Sequence, residues 1–211
     1  MIGIIDYRAG NLTSVARALR YLGEECQITD DPEVLTACSH LIFPGVGAAG
    51  EAMANLRQRK LDHWIQTWVE SGIPVLGICL GTQVIFTHSE ENDTPCLGIV
   101  PGTVKRFPES VTVDGRPLKV PHMGWNQVRF MREHPVFQNI SEEAEFYFVH
   151  SYYPDPVADT WVIGETEYGI TFCSAVAHDN LVAVQFHPEK SGRPGLQLLA
   201  NFCHWGGRDA E

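Results

Sequence analysis

One cysteine lies between two glycines in the segment Gly77-Ile78-Cys79-Leu80-Gly81. The residues before it, Ile73 to Leu76, form a short apolar run that is typical of a buried parallel strand. The residues after it, Thr82 to Phe86, can continue as a helix. A strand, a sharp turn with a nucleophile at its tip and a helix together form a nucleophile elbow, here with cysteine in place of serine.

The two glycines have a physical reason at such an elbow. The turn is strained, and a Cβ atom at position 77 or 81 would collide with the neighbouring strand and helix. The free N–H groups at the start of the helix favour a thiolate at Cys79. The alternative is a buried core cysteine, but a plain core strand gains nothing from flanking glycines. The segment therefore predicts a cysteine nucleophile.

A cysteine nucleophile needs a base, and the base needs a group that orients it. His187 is the best placed of the nine histidines, because it directly follows a buried strand and so shares a sheet edge with Cys79. We expect Pro188 to hold the backbone extended, with His187 and Glu189 on one side. Such a carboxylate fixes the histidine tautomer and stabilises the imidazolium. Taken singly, a turn histidine and a solvated glutamate are the better interpretations; with the elbow they become the weaker ones.

A second glycine-rich segment, Pro44-Gly45-Val46-Gly47, follows a predicted strand at His40 to Phe43. Its backbone N–H groups are not obstructed by side chains. We expect N–H groups of Val46 and Gly47, with that of Leu80, to stabilise an oxyanion. A simple strand-to-helix turn is the alternative for this glycine pair.

Composition bounds the class of protein. The 211 residues suffice for one α/β domain, and we expect a single domain over residues 1–211. The formal net charge of −11 disfavours a nucleic-acid partner. The six cysteines form no C-x-x-C pair, and neither a metal nor a cofactor is expected. We expect a cytoplasmic protein without a signal peptide or membrane segment.

Strand and helix patterns alternate up to the elbow. We expect strands at Met1–Asp6, Cys26–Thr29 and His40–Phe43, and helices at Leu12–Leu22, after Asp31, at Ala48–Leu56 and around Leu61–Val69. From about His88 the pattern becomes that of strands and turns, with strands around Val104–Phe107, Lys119–Val120, Gln127–Phe130, Phe146–Val149, Tyr168–Thr171, Ala175–His178 and Leu181–Gln185, a hairpin turn at Asp114-Gly115 and a closing helix over Leu196–Cys203.

This order predicts an α/β fold with right-handed crossovers. We expect an open, mostly parallel twisted sheet with helices on both faces. A smaller antiparallel sheet is expected in the C-terminal half. Loops at the carboxyl ends of the parallel strands build the site in such sheets, and both glycine-rich segments lie at such ends.

The segments Pro44–Gly47, Gly77–Gly81 and His187–Glu189 resemble the motifs of the class I glutamine amidotransferases, in the order of that family and over most of the chain. Further segments narrow the resemblance to the glutaminase subunits of histidine biosynthesis: Asp6–Leu12, Pro121–Asn126, Phe146–Tyr152 and Gln185–Gly192. Thr82 stands where methionine is usual, and Arg8-Ala9 where a glycine-containing pair is common. Neither departure touches a catalytic position.

The resemblance implies a flavodoxin-like fold and a mechanism. Cys79 would attack the side-chain carboxamide of glutamine, and His187, oriented by Glu189, would deliver a proton to the departing ammonia. Water would then hydrolyse the γ-glutamyl thioester. The resemblance also implies that Gly47, Gln83, Ser151 and Tyr152 hold the glutamine.

The resemblance further implies a partner, a (β/α)8-barrel cyclase subunit that forms a heterodimer with this chain and receives its ammonia. Asn11, Met123, Trp125 and Lys190 match family positions near that interface. For Trp125, core packing is an equal alternative. In the family the glutaminase is weak until the cyclase binds its ligand, and a reversed peptide in the Pro44–Gly47 loop would explain this.

Three alternatives remain at this point. Amidotransferase subunits of other pathways share the triad but not His122-Met123-Gly124-Trp125-Asn126. A thiol hydrolase or esterase would rest on the elbow alone. A regulatory or structural domain would carry an inert Cys79.

Overall fold

The computed structural model describes residues 1–113 and 116–207. The helices are α1 (Leu12–Tyr21), α2 (Pro32–Thr36), α3 (Ala49–Gln58), α4 (Leu61–Glu70), α5 (Leu80–Val84) and α6 (Gly192–His204). The strands are β1 (Ile2–Ile5), β2 (Cys26–Thr29), β3 (His40–Gly45), β4 (Val75–Cys79), β5 (Phe86–Ser89), β6 (Thr94–Pro95), β7 (Val100–Arg106), β8 (Thr112–Val113), β9 (Arg116–Pro117), β10 (His122–Gln127), β11 (Arg129–Phe130), β12 (Glu145–His150), β13 (Tyr152–Pro156), β14 (Val162–Glu167), β15 (Thr171–His178) and β16 (Leu181–Val184). Short 3₁₀ turns cover Glu91–Asp93, Pro135–Phe137, Asp159–Trp161 and Pro188–Lys190.

The largest sheet within the described ranges has eight strands, in the order β11-β14-β15-β16-β4-β3-β1-β2. Neighbouring strands from β16 to β2 run parallel, and those from β11 to β16 run antiparallel. Helices α1 and α6 pack in one apolar cluster against this sheet, and α3 and α4 pack in another. The predicted open, mostly parallel sheet with helices on both faces is therefore confirmed.

The apolar runs explain why the sheet is central. All four residues of β1 are buried, and the side chains of the parallel strands alternate between the two clusters. On β3, for example, Ile42 joins the α1 and α6 cluster, while Leu41 and Phe43 join the other. In the part of the chain that the structure describes, no helix has both the length and the apolar character needed to cross a membrane.

A second, smaller sheet is present, as predicted, but it is mixed. Its order is β13-β7-β5-β6, with antiparallel pairing at β13–β7 and β5–β6 and parallel pairing between β5 and β7. It begins at Phe86, earlier than the change of pattern at His88 suggests. The helix after Cys79 ends at Val84, because Phe86 pairs with Val100 in this sheet and does not extend the helix.

Three other local predictions are wrong. The segment Gln127–Phe130 is interrupted at Val128, whose fully buried side chain separates β10, paired with β12, from β11, paired with β14. Lys119 and Val120 lie in no strand, and residues 168–170 form the turn between β14 and β15. The predicted hairpin turn at Asp114-Gly115 lies outside the described residues.

The glycines beside Cys79 lie where strands and a helix meet most closely. A Cβ atom on Gly77 would lie 2.8 Å from the Cβ atom of Ala183 on β16. A Cβ atom on Gly81 would lie 1.7 Å from the backbone oxygen of Phe43 on β3. The predicted collision with a neighbouring strand is therefore confirmed at both positions.

We expect Gly81→Ala to lower the free energy of unfolding by about 2 kcal/mol, because the new methyl group meets backbone that cannot move aside. Chemical denaturation measures this loss. Gly206→Ala is the matched control, since a Cβ atom there has no neighbour within 4 Å. Equal stability of the two variants would contradict the packing described here.

Candidate active site

Cys79 is the last residue of β4 and has the backbone angles φ 53° and ψ −107°. A non-glycine residue at positive φ is strained, and such strain concentrates at functional sites. Helix α5 begins at the next residue but has only five residues. The nucleophile elbow predicted from the sequence therefore has the expected backbone course, with a shorter helix behind it.

His187 reaches the same sheet edge as Cys79 through the parallel pairing of β16 with β4, in which Val184 lies opposite Ile78. The backbone around it is held on two sides. Its N–H group donates to the carbonyl oxygen of Tyr147 at 2.9 Å, and its own carbonyl oxygen accepts from the Ser191 hydroxyl at 2.6 Å. These bonds fix the place from which the imidazole extends.

Glu189 contacts the imidazole directly, with 2.8 Å between its Oε1 atom and Nδ1 of His187. Both side chains are almost completely inaccessible to solvent. The backbone between them is not extended through Pro188, as the sequence suggested; residues Pro188–Lys190 form a 3₁₀ turn. The proline fits the first position of that turn, and the turn brings Glu189 back toward His187.

The charges at this site shift the proton affinity of His187. Burial lowers its pKa, but its interactions with Cys79 and Glu189 outweigh burial and raise the pKa to about 9. Because Nδ1 is bound to Glu189, Nε2 is the nitrogen that can exchange a proton with Cys79. The three side chains thus have the arrangement of a nucleophile, a base and an orienting carboxylate.

Gln185 is a neighbour of Cys79 that the sequence analysis missed. Its side chain is fully buried, and its Nε2 atom lies 3.7 Å from the Cys79 sulfur. Its Oε1 atom accepts a hydrogen bond of 3.0 Å from the amide of Gln83. That amide also donates to the backbone oxygen of Tyr152 at 3.1 Å. The place of Gln185 at the end of the predicted strand Leu181–Gln185 was the available signal, but the sequence does not show the direction of its side chain.

A cavity of about 360 Å³ opens beside the sulfur. Its walls comprise residues Val46, Gly47, Cys79, Leu80, Gln83, Glu91, Pro121, Val149, His150, Ser151 and Tyr152. The structure thus brings together the four residues expected to hold a substrate, Gly47, Gln83, Ser151 and Tyr152. Glu91 was missed, because only the tertiary fold brings its 3₁₀ turn against the start of α3, where its Oε2 atom accepts from the Ala49 N–H group at 2.6 Å.

The loop expected to supply oxyanion donors is partly engaged elsewhere. Strand β3 continues through Gly45, which pairs with Cys79, so the turn proper begins at Val46. The Val46 N–H group donates to the carbonyl oxygen of Ala9 at 2.7 Å. Gly47 and Leu80 line the cavity. Val46 can serve an oxyanion only after its N–H group leaves Ala9, so the assignment of this donor stays a prediction.

The residues predicted to meet a partner occupy neighbouring positions at the surface. Met123 and Trp125 on β10 are 62% and 53% exposed, which rules out core packing for Trp125. The Trp125 ring lies 6.1 Å from that of Tyr147, and the Lys190 ammonium lies 5.9 Å from the centre of the same Tyr147 ring. Asn11 differs from these, because its amide donates to Oε1 of Glu189. We call Met123, Trp125, Tyr147 and Lys190 the docking surface.

Comparison with known proteins agrees with this geometry. Residues 3–205 match the family described as "Glutamine amidotransferase class-I". The chain therefore belongs to the class-I glutamine amidotransferase family. Solved structures of a glutamine amidotransferase (TM-score 0.75, 19% identity, 98% of each chain) and of PurLQS from Thermotoga maritima (TM-score 0.74, 16% identity, 96% of this chain and 97% of that one) share its fold.

Within this family the chain falls in the branch of the imidazole glycerol phosphate synthase subunit HisH. It is 53% identical to the protein of that name from Maridesulfovibrio salexigens, over 97% of each chain. It is 48% identical to the one from Aromatoleum aromaticum, over 97% of this chain and 98% of the other. The resemblance to the class I glutamine amidotransferases is thereby confirmed.

The raised pKa of His187 has a consequence for stability. A folded-state pKa of about 9, against 6.5 for a free histidine, contributes stability that is fully present below about pH 6.5 and is lost as the pH rises through about 9. We expect the free energy of unfolding to fall over that interval, and to fall less steeply in Glu189→Gln. Denaturation at a series of pH values measures both slopes.

Glu165→Gln is the matched control for this comparison, because Glu165 pairs with Arg129 and has no contact with His187. We expect that variant to keep the wild-type slope. Parallel pH profiles for wild type and Glu189→Gln would contradict the electrostatic account of the site.

Proposed function

We propose that this chain is the glutaminase subunit of an imidazole glycerol phosphate synthase, and that it hydrolyses glutamine to glutamate and ammonia. The observation that carries the proposal is the placement of a strained Cys79 at the same sheet edge as His187, whose other nitrogen lies 2.8 Å from the buried Glu189 carboxylate. The membership of the glutamine amidotransferase family and the HisH relatives support the same activity.

In the first half-reaction, the thiolate of Cys79, whose proton His187 holds at Nε2, attacks the carboxamide carbon of glutamine. The proton then passes from His187 to the amide nitrogen, and the carbon–nitrogen bond breaks to release ammonia. A γ-glutamyl thioester remains on Cys79. The Glu189 carboxylate stabilises the His187 imidazolium until that proton is transferred.

In the second half-reaction, His187 takes a proton from water as the water oxygen attacks the thioester carbon. The carbon–sulfur bond breaks, glutamate leaves, and the thiolate is restored. Each attack places negative charge on the former carbonyl oxygen, which needs donors at a fixed position. Leu80 and Gly47 line the cavity, and we assign this role to their N–H groups; the Val46 N–H group would join them after its bond to Ala9 breaks.

The cavity has the groups that a free amino acid requires. Ser151, Tyr152 and Gln83 border it. Glu91 supplies a carboxylate that can pair with the α-ammonium group of glutamine. A site with a carboxylate for the ammonium group selects an amino acid over a simple amide.

The docking surface supports a complex. We propose that a (β/α)8-barrel cyclase subunit covers Met123 and Trp125 and forms a heterodimer with this chain. Ammonia would pass to that subunit without entering bulk water, where it would be protonated, and would there yield imidazole glycerol phosphate and an aminoimidazole carboxamide ribotide. Neighbouring exposed methionine and tryptophan side chains are typical of a protein interface.

The activity is tested with Cys79→Ala in the complex. We expect glutamine hydrolysis to fall by at least about a thousandfold, while synthesis of product from added ammonium continues, because the cyclase chemistry does not use the thiol. Cys96→Ala, which removes a half-buried free cysteine away from the cavity, is the control. Undiminished glutamine use by Cys79→Ala would refute the proposal and would favour the reading of Cys79 as inert.

The interface is tested with Trp125→Ala. We expect the dissociation constant for the cyclase subunit to rise at least about thirtyfold, as for a central aromatic contact, with no loss of thermal stability. Isothermal titration calorimetry measures the binding. Tyr21→Ala removes an aromatic side chain that is 79% exposed elsewhere and should bind as wild type does. Equal affinity of the two variants would place the interface elsewhere.

A further inference from the structure

A line of hydrogen bonds joins strand β10, which carries Met123 and Trp125 of the docking surface, to the cavity. Strand β10 alternates in exposure: Met123 and Trp125 face outward, while His122 and Asn126 face the interior. The Asn126 amide nitrogen lies 3.2 Å from Nε2 of His122, and Nδ1 of His122 lies 2.9 Å from Nε2 of His150. Nδ1 of His150 lies 2.8 Å from the backbone oxygen of Tyr152.

The partners of this line determine where every proton lies. A carbonyl oxygen only accepts, so His150 donates from Nδ1 to Tyr152 and has its lone pair on Nε2. His122 must then donate from Nδ1 to His150, which leaves its own Nε2 as an acceptor for the Asn126 amide. That amide is oriented by its second donation, to the backbone oxygen of Glu167 at 2.9 Å. Both histidines are therefore neutral, each in a single tautomer.

The surroundings keep the pair in place. His122 and His150 are 3% and 5% exposed. The His122 ring stacks on Tyr168 with 3.9 Å between ring centres and on Phe148 with 4.8 Å. Burial lowers the pKa of His122 to about 4 and that of His150 to about 3, which agrees with two neutral rings. A further proton on Nε2 of His150 would place it, as an N–H donor, opposite the Nδ1–H donor of His122.

The line ends on groups that shape the cavity. The Tyr152 oxygen accepts from His150 and, on its other lone pair, from the amide of Gln83. The same Gln83 amide donates to Gln185, whose own amide contacts the Cys79 sulfur. His150, Tyr152 and Gln83 all border the cavity. A change at the histidine pair therefore reaches the substrate-binding wall before it reaches the nucleophile.

We propose that His122 and His150 are positioning residues for glutamine binding. They hold the Tyr152 carbonyl group and the Gln83 side chain in place, and they connect both to strand β10, which carries Met123 and Trp125. The inference rests on the proposed glutaminase function. The pair exchanges no proton with the substrate and acts only through the atoms that it holds.

The test uses the full chain and measures labelling of Cys79 by two reagents: a glutamine-mimicking diazoketone and iodoacetamide. In His122→Phe and His150→Phe, which keep a ring but remove the hydrogen bonds, we expect the half-saturating diazoketone concentration to rise about tenfold. The limiting labelling rate and the iodoacetamide rate should stay within about twofold of wild type. Asn126→Ala, at the half-buried end of the line, should show a smaller increase of about threefold.

His40→Phe is the matched control, because it removes a histidine that lies 2.9 Å from the backbone oxygen of Trp205, at the opposite end of β3 from the cavity. The inference would be overturned if the half-saturating diazoketone concentration were that of wild type in Asn126→Ala and in every histidine variant that remains folded. An equal loss of diazoketone and iodoacetamide labelling would also overturn it, since that pattern means a disturbed elbow. A wild-type chain that reacts with iodoacetamide but not with the diazoketone would refute the glutaminase function, and the inference with it.

Discussion

The parallel pairing of β16 with β4 is the constraint on which the site depends. It places two segments that are more than a hundred residues apart in sequence at one edge of the sheet, with Val184 opposite Ile78. From these positions Cys79 follows β4 directly and His187 lies a few residues beyond β16. Since a shift of register by one residue would turn every side chain of the strand to the other face, the pairing determines whether a triad exists.

The close packing around strands β4 and β16 explains why glycines flank Cys79 at the elbow. Strand β4 is bordered by β3 on one side and β16 on the other, and the chain must turn there into α5 without room for side chains at Gly77 or Gly81. The strain at Cys79 is held by these neighbours. Buried polar side chains then occupy the remaining contacts, with Glu189 on His187 and Gln185 on the sulfur. The site is thus fixed by the sheet and by hydrogen bonds more than by the short helix.

Much of this could be predicted from the sequence, because parallel strands leave a strong signal. Uninterrupted apolar runs located β1, β4 and β16, and Asp31-Pro32 located the start of α2, where the Asp31 carboxylate accepts from the Glu33 N–H group. The shared edge of Cys79 and His187 followed from strand direction alone. The catalytic and binding roles of the site residues stay predictions.

The remaining features depend on contacts between distant segments. Phe86 leaves the helical pattern because Val100 pairs with it as a strand residue. Val128 is fully buried at the point where pairing changes from β10 with β12 to β11 with β14. The turn at Pro188–Lys190 is stabilised by the N–H group of Lys190, which donates to the oxygen of His187 at 3.0 Å. The direction of a side chain such as that of Gln185 is also set by contacts with distant segments, so a local sequence pattern does not predict it.

The most direct measurement of the central claim is mass spectrometry of the complex mixed with glutamine, quenched in acid and digested. The account predicts a γ-glutamyl adduct on the peptide that carries Cys79, formed in wild type and absent from Cys79→Ala. Glutamine consumption without an adduct on that peptide, or with an adduct on another cysteine, would contradict it.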